Sequence, residues 1–374
     1  MGYRILFLNW QDIRHPLGGG AEVYNHEVLK RLAARNHHIT IVCCSHPTLP
    51  PVETIDGIRI IRYGGRRWFN YAAPFAVRRL LKTESFDIAI DAINKIPLMA
   101  PLYVRKIPVL GLVHHIFRKS IFREASPPAA SYVYAFEQLI KPVYRRVPFI
   151  VISESTGQDL ISIGIPENRI FIVECSVDFS LYRTSSEPKS PVPLVGYVGR
   201  IKRYKSVDHL IKAFVIVKRH IPDSQLVIVG DGDTIPELQQ LTSELGIADC
   251  TEFTGFVDQE TKVKILQKCY VVVNPSIKEG WGLTVIEANA CGTPTVAADV
   301  PGLRDSVKNG ETGFLYPYGD IEQCARYIMT LLQNEDIRTK ITTQAIQWAA
   351  QFSWDTAADK TLSIIEKTIT EHKN

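Results

Sequence analysis

Short continuous apolar runs alternate with amphipathic stretches along the whole chain. Arg4–Trp10 is apolar apart from its ends, and a Gly-rich turn leads from it into an amphipathic segment, Ala21–Ala34. Ile39–Cys44, Ile58–Tyr63, Asp87–Asp91, Val109–His114 and Phe149–Ser153 continue the plan. After Ser190 it begins again with Leu194–Gly199, Gln225–Gly230, Val271–Asn274 and Thr295–Ala298. Continuous Val/Ile/Leu runs, in place of strict alternation, predict strands buried on both faces of parallel sheets. The strand–helix–strand order predicts βαβ units and an α/β, doubly wound fold.

A chain of 374 residues is long for one such domain and suits two. Thr184–Pro193 holds three prolines and three serines, breaks both periodicities and reads as a linker. It divides the chain into a first domain, 1–186, and a second that starts at 187. The last segment, Trp354–Lys367, reads as a helix with Ala358, Leu362, Ile365 and Ile369 recurring on one face. Two parallel-sheet domains joined at this linker are expected to face each other across a cleft. The carboxyl ends of the strands, where ligands bind in open α/β sheets, would point into it.

Composition narrows the class. With 45% hydrophobic and 22% charged residues, the chain is a core-forming one and not a disordered one. No apolar run approaches the length of a membrane span, and Ile5–Leu8 is too short for a signal peptide. The seven cysteines are scattered and odd in number, without a CxxC, which fits neither a disulfide framework nor a zinc site and predicts a reducing cytoplasm. Charge is uneven. Residues 1–186 carry 23 Lys and Arg against 15 Asp and Glu, and the remainder carries 20 against 24. A basic half beside an acidic half is a statement about partners.

Candidate chemistry concentrates in the second half. Val198-Gly199-Arg200 ends a strand, and Lys205 precedes a helical pattern, Val207–Val217. Two cations there suit a diphosphate, Arg200 as a bidentate clasp and Lys205 as a point charge. A solvated basic loop is the other reading of the same residues. Further on, Glu279-Gly280-Trp281-Gly282-Leu283-Thr284-Val285-Ile286-Glu287 opens a helix. Gly280 and Gly282 allow close backbone approach, and the free N–H groups of the helix start suit phosphate or sugar oxygens. A carboxylate such as Glu287 inside so apolar a run is explained by ligand hydroxyls that it accepts from, or by one salt bridge.

Arg200-x4-Lys205 together with Glu279-x7-Glu287 resembles the donor-site signature of retaining family-four glycosyltransferases (glycosyl transferases group 1) with the GT-B fold. The resemblance extends over nearly the whole chain. It includes Gly18-Gly19-Gly20, Pro108-Val109-x4-His114, Gly230-Asp231-Gly232, Phe253-Thr254-Gly255-Phe256-Val257, Ala290–Pro294 and Asn309-Gly310-x2-Gly313. It implies a catalytic set of His114, Glu279, Arg200 and Lys205. Arg200 and Lys205 would hold the donor diphosphate, Glu279 would contact the donor sugar, and His114 would face that sugar from the first domain. Glu287 would accept from the ribose, and the backbone at Trp281, Gly282, Leu283 and Thr284 would touch sugar and β-phosphate. Phe256 and Val257 would frame the base, and Gly230, Gly19 and Gly20 complete the donor-binding set. A histidine at a strand end is otherwise often a satisfied core residue. The resemblance also implies that 187–353 is the donor domain and that 354–374 crosses back to the N-terminal, acceptor-side domain.

There are departures from the family pattern. Ser206 stands where a glycine commonly follows the lysine, paired glycines are reduced to Pro301-Gly302, and Cys175-Ser176 replaces Asn-Gly. Asp231-Gly232-Asp233 has the look of a metal-binding Asp-x-Asp, but the two cations supply the charge a metal would, so neither a metal nor another cofactor is expected. Gly18–Gly20 lacks the dinucleotide fingerprint.

The resemblance thus predicts a retaining, metal-independent hexosyltransferase. UDP-glucose is the first donor and GDP-mannose the second, with a glycan or lipid-linked acceptor in exopolysaccharide or cell-surface glycan synthesis. A non-catalytic nucleotide-sugar-binding partner subunit or a nucleotide-sugar epimerase on the same fold are the alternatives. Arg66-Arg67-Trp68-Phe69, Arg78, Arg79 and Lys82 mix cations with aromatics. They suit an anionic membrane surface, an acidic acceptor or plain solvation, and no nucleic-acid motif accompanies them. The expected location is cytoplasmic, peripheral at the inner face of the membrane if that surface is used.

Overall fold

Apolar runs without alternation become strands covered on both faces. The computed structural model describes residues 2–94, 96–123 and 125–373, the side chain of Arg123 excepted. Two compact units are present: Met1–Cys175 with Trp354–Asn374, and Ser176–Ser353.

In the first unit the chain runs β1 (Arg4–Leu8), α1 (Gly20–Ala34), β2 (His38–Ser45), β3 (Val52–Ile55), β4 (Ile58–Gly65), α2 (Phe69–Thr83) and β5 (Ile88–Ile93). It continues through β6 (Val109–Val113), α3 (Pro127–Gln138), α4 (Ile140–Tyr144), β7 (Phe149–Val151), α5 (Glu154–Ser162) and β8 (Ile170–Ile172). The sheet order is β3-β4-β2-β1-β5-β6-β7-β8. Its pairings are parallel except β3 with β4, a hairpin whose two-residue turn is Asp56-Gly57. Both turn residues have positive φ, 48° and 78°, the combination a two-residue hairpin needs to follow strand twist.

The second unit runs β9 (Leu194–Val198), α6 (Val207–His220), β10 (Gln225–Val229), α7 (Ile235–Glu244), β11 (Thr251–Gly255), α8 (Gln259–Lys268) and β12 (Val271–Asn274). Then come α9 (Leu283–Ala290), β13 (Thr295–Ala298), α10 (Leu303–Ser306), β14 (Gly313–Tyr316), α11 (Ile321–Gln333) and α12 (Glu335–Ala349). The strand order is β11-β10-β9-β12-β13-β14, and every pairing is parallel. The order reverses direction at β9, so the loops after β9 and β12 open side by side, the position where doubly wound sheets bind ligands. Side-chain caps start several helices: Asp258 accepts from Thr261 N at 2.7 Å and Asp320 from Gln323 N at 2.8 Å.

Two features differ from the sequence reading. Four strands were not anticipated, β3, β8, β11 and β14, and each is the edge of its sheet. The boundary also lies earlier than 186. The stretch read as a linker is bound into the second unit: Lys189 Nζ donates to Cys269 O at 2.7 Å and Thr293 Oγ1 at 3.0 Å, and Ser190 N donates to Lys268 O at 3.0 Å. The chain passes between units at Cys175/Ser176 and at Ser353/Trp354. Val177 and Ser353, just inside the second unit, pair as a parallel bridge.

The last helix, α13 (Trp354–Lys373), belongs to the first unit and packs on α1. Trp354 meets the edge of Tyr24 at 5.8 Å, Arg31 Nε donates to Asp355 Oδ1 at 3.1 Å, and Lys360 pairs with Glu174 at 2.7 Å. Its buried face includes Ala358, Thr361, Ile365 and Ile369. Removing residues from Trp354 onward uncovers the face of α1 that carries Tyr24 and exposes a contiguous apolar patch. We therefore expect the truncated protein to aggregate on purification, read by size-exclusion chromatography. A monodisperse, fully folded truncation would contradict this packing role.

Candidate functional site

The site in the second unit begins with backbone meeting backbone. Gly230, just past β10, has φ +132°, and a Cβ there would lie 1.9 Å from Gly199 O. A Cβ on Gly232 would lie 1.6 Å from Ile201 O, while Ile201 N donates to Asp231 O at 2.9 Å. Glycines here let the loops after β9 and β10 lie against each other, which accounts for Gly230 by packing alone. Arg200 follows on the exposed side of this junction, its carbonyl held by Tyr197 OH at 3.0 Å.

Lys205 and Glu279 are brought together. Lys205 Nζ donates to Glu279 Oε1, and each side chain keeps only 14% of its exposure. Burial works against the ammonium, but the charge of Glu279 and the neighbouring tyrosines outweigh it, so the lysine's pKa is raised and it stays charged. Ser276 Oγ lies 2.8 Å from the same carboxylate oxygen and 2.7 Å from Asn274 Oδ1, which ties Glu279 to the end of β12. The backbone of Glu279 rests on the turn before α10: a Cβ on Gly302, at φ +83°, would lie 2.3 Å from Glu279 O. Of the Pro301-Gly302 pair, Gly302 is thus the position that the geometry requires to be glycine.

Ser206 is a second informative departure. It sits before α6 in the left-handed region, φ 49° and ψ 39°, where glycine is unstrained. Its Oγ lies 3.0 Å from Tyr318 OH, which anchors it there.

α9 starts from Gly282, also left-handed at φ 89°, with no side-chain cap. The first N–H groups of a helix have no partner within it, so those at Leu283 and Thr284 are donors at a positive helix end. Trp281 is buried, edge-on to Phe352 at 5.1 Å, and its Nε1 has no hydrogen-bond partner. One turn into α9, Glu287 is buried and paired with Lys262 Nζ of α8 at 2.6 Å. Lys262 in turn lies over the ring of Tyr182 at 5.2 Å. One lysine–glutamate pair thus stands just before α9 in the chain and a second one turn into it. Lys262 was invisible in sequence, an ordinary lysine on an amphipathic helix. Phe256, just past β11, is 85% exposed.

The remaining predicted residues lie in the first unit. Gly19 caps α1, its N–H donating to Glu22 Oε2 at 2.7 Å, and a Cβ on Gly20 would meet nothing within 4 Å. His114 follows β6 and is buried. Burial pulls its pKa down to about 3, so the imidazole is neutral at physiological pH and is not a charged acid. Of the Asp-x-Asp look-alike, Asp233 pairs with Lys202 at 2.8 Å. Among the described residues no group of three or more His, Cys, Asp or Glu is placed to hold a metal.

Residues 18–181 match the family described as Glycosyltransferase Family 4, and residues 178–348 match Glycosyl transferases group 1. The chain belongs to the family-4 glycosyltransferases of the GT-B fold. It is 28% identical to a D-inositol 3-phosphate glycosyltransferase of Thermomonospora curvata over 92% of this chain and 90% of that one. A second protein of that name, from Streptomyces scabiei, is 35% identical over 49% of this chain. The match spans 42% of the Streptomyces protein, under half its length. Among solved structures, sucrose-phosphate synthase of Thermosynechococcus elongatus superposes with a TM-score of 0.84 at 22% identity, over 99% of this chain and all of that one. Anabaena HepE, solved with UDP and glucose, gives 0.79 at 20% identity, over 98% of this chain and all of that one.

Breaking a buried pair strands the surviving charge, so Lys205→Ala and Glu279→Ala should each lower unfolding free energy by about 3 kcal/mol. The double substitution Lys205→Met/Glu279→Leu should lose less than either, and exposed Arg200→Ala should change it by under about 0.5 kcal/mol. Urea unfolding curves check this, and equal small losses at all three sites would refute the coupling. At the left-handed turn, Ser206→Ala keeps the strain and loses the hydroxyl. Ser206→Gly relieves the strain, so it should be the more stable of the two by about 1 kcal/mol. The reverse order in thermal midpoints would show that the turn's conformation is not what the residue is chosen for.

Proposed function

We propose that this chain is a retaining hexosyltransferase. It takes a hexose from a nucleoside diphosphate sugar, UDP-glucose first and GDP-mannose second, and passes it to a glycan or lipid-linked acceptor in cell-surface or exopolysaccharide synthesis. One observation carries the reading. The uncapped N-terminus of α9 follows the largely buried Lys205–Glu279 pair in the chain, and the Lys262–Glu287 pair lies one turn into the helix. Positive helix end, Lys205 and Arg200 converge on one polyanion, while Glu279 and Glu287 supply acceptors for hydroxyls. The binding of UDP and UDP-glucose by a structural neighbour supports the donor class.

In this scheme the bond from the sugar's anomeric carbon to the β-phosphate oxygen breaks as the acceptor oxygen attacks the same face. The acceptor's proton passes to the departing phosphate oxygen. No covalent intermediate is formed, and the products are the glycosylated acceptor and the nucleoside diphosphate. The chain supplies orientation and charge: Arg200, Lys205 and the N–H groups of Leu283 and Thr284 offset the leaving group's negative charge. Glu279 orients Lys205 and reads a hydroxyl of the sugar, and Glu287 reads the ribose. The charge a divalent metal would supply is assigned to these groups, so turnover should survive chelation.

Slow release of UDP from UDP-glucose, followed with and without EDTA, tests the reading. It should be detectable, unchanged by EDTA, and lowered 100-fold or more in Arg200→Ala, the usual scale for one preorganised donor. Release that vanishes with EDTA and returns with Mg²⁺ alone would overturn metal independence. No release, and no thermal stabilisation by UDP, GDP or ADP or their sugars, would overturn the donor site itself.

The acceptor's setting is read from α2. Its exposed stripe carries Tyr71, Phe75, Arg78, Arg79 and Lys82, with exposed Trp68 just before it. Residues 57–83 hold seven Lys and Arg and no acidic residue. Cations beside exposed rings suit an anionic lipid surface. The protein should sediment with phosphatidylglycerol-containing vesicles at low salt and not with phosphatidylcholine alone, and Trp68→Ala/Phe75→Ala should weaken this. Equal behaviour with both vesicles would remove the membrane from the account.

A further inference from the structure

In the first unit, Asn25 stands second-turn on α1, buried, with its Oδ1 3.1 Å from His114 Nε2. The carboxamide oxygen only accepts, so the imidazole nitrogen facing it carries the proton. The ring's plane is held by Tyr24, whose edge meets it at 5.1 Å and 84°. Tyr24 is itself fixed, its hydroxyl donating to Val173 O at 3.1 Å. The backbone of His114 is held as well: Thr156 Oγ1 of α5 donates to its carbonyl at 3.4 Å.

Two polar atoms are left over. His114 Nδ1 makes no hydrogen bond among the described residues, and Asn25 Nδ2 is a buried donor without a partner. An orphaned buried amide is costly unless a ligand or water completes it. A lone pair on one side of the ring and an N–H on the other are what two hydroxyls of a sugar, each able to donate and to accept, can satisfy.

We propose that Asn25 is a positioning residue: its Oδ1 accepts a hydrogen bond from the Nε2–H of His114 and locks the neutral imidazole in the tautomer whose Nδ1 accepts from a sugar hydroxyl, while its own Nδ2 donates to the substrate. The proposal rests on the glycosyltransferase reading for the identity of the ligand, but the tautomer is a property of the protein alone. Around the ring stand Tyr24 and Asn25 from α1 and Thr156 from α5, and none of them is charged. Burial lowers the pKa of His114.

Long-range ¹H–¹⁵N correlation spectra of the histidine-labelled full chain at pH 7 test this, with His114 assigned by its loss in His114→Gln. The wild type should show protonated Nε2 and bare Nδ1. Asn25→Ala should give a mixed population of tautomers and lower kcat/KM for sugar transfer about tenfold, the loss of roughly one hydrogen bond, with the Kd for free UDP unchanged. Asn25→Asp keeps an acceptor against Nε2 and should restore the single tautomer or protonate the ring fully. A wild-type spectrum with the proton on Nδ1 would overturn the proposal, as would an unaltered tautomer and unaltered kcat/KM in Asn25→Ala. A wild type with the stated tautomer but no sugar transfer would instead overturn the transferase reading and leave the positioning geometry standing.

Discussion

The pairing of Lys205 with Glu279 is the constraint on which the second unit's site depends. Each charge is nearly out of water, and neither would be tolerated there alone. The pair joins three otherwise separate pieces of chain: the turn before α6, the end of β12 through Ser276 and Asn274, and the Pro301-Gly302 turn under the Glu279 backbone. A buried ion pair is a poor way to gain stability compared with apolar packing. At the mouth of a parallel sheet it holds a cation and a carboxylate at fixed positions, which is what the proposed donor site requires. The second pair, Lys262 with Glu287, does the same one helical turn deeper.

How much of this the amino-acid sequence disclosed follows from physical visibility. Central strands were legible because strands buried on both faces are written as unbroken Val/Ile/Leu runs, as in Ile39–Cys44 or Val271–Asn274. Edge strands lack that pressure. β3 reads Val-Glu-Thr-Ile and β11 reads Thr-Glu-Phe-Thr-Gly, half-buried and mixed. For β3 a usable signal existed: Asp56-Gly57 between apolar neighbours is a strong hairpin turn. The boundary error had a different cause. Proline and serine at 184–193 do break periodicity, but Lys189 satisfies three carbonyl or hydroxyl oxygens of the second unit and turns the stretch into a strap.

The site residues divide the same way. Those that carry charge in an apolar setting, Glu287 above all, stood out in sequence. Their partners did not: Lys262 and Asn25 sit on helices where polar residues are ordinary, and only the fold shows that they are turned inward. His114 stood out but was open to two readings. It is a buried, hydrogen-bonded histidine on its Nε2 side, and its Nδ1 makes no hydrogen bond among the described residues, so a structural role and the proposed one fit the same ring. The uncharged neighbours of that ring contrast with the second unit, where two lysine–glutamate pairs stand.

In the proposed function the start of α9, with Arg200 and Lys205, holds a nucleoside diphosphate. A crystal structure of the protein with UDP tests it most directly. The β-phosphate should lie against Lys205, Arg200 and the N–H groups of Leu283 and Thr284, with the ribose hydroxyls on Glu287. UDP bound elsewhere, or a pyrophosphate that touches none of these groups, would contradict it.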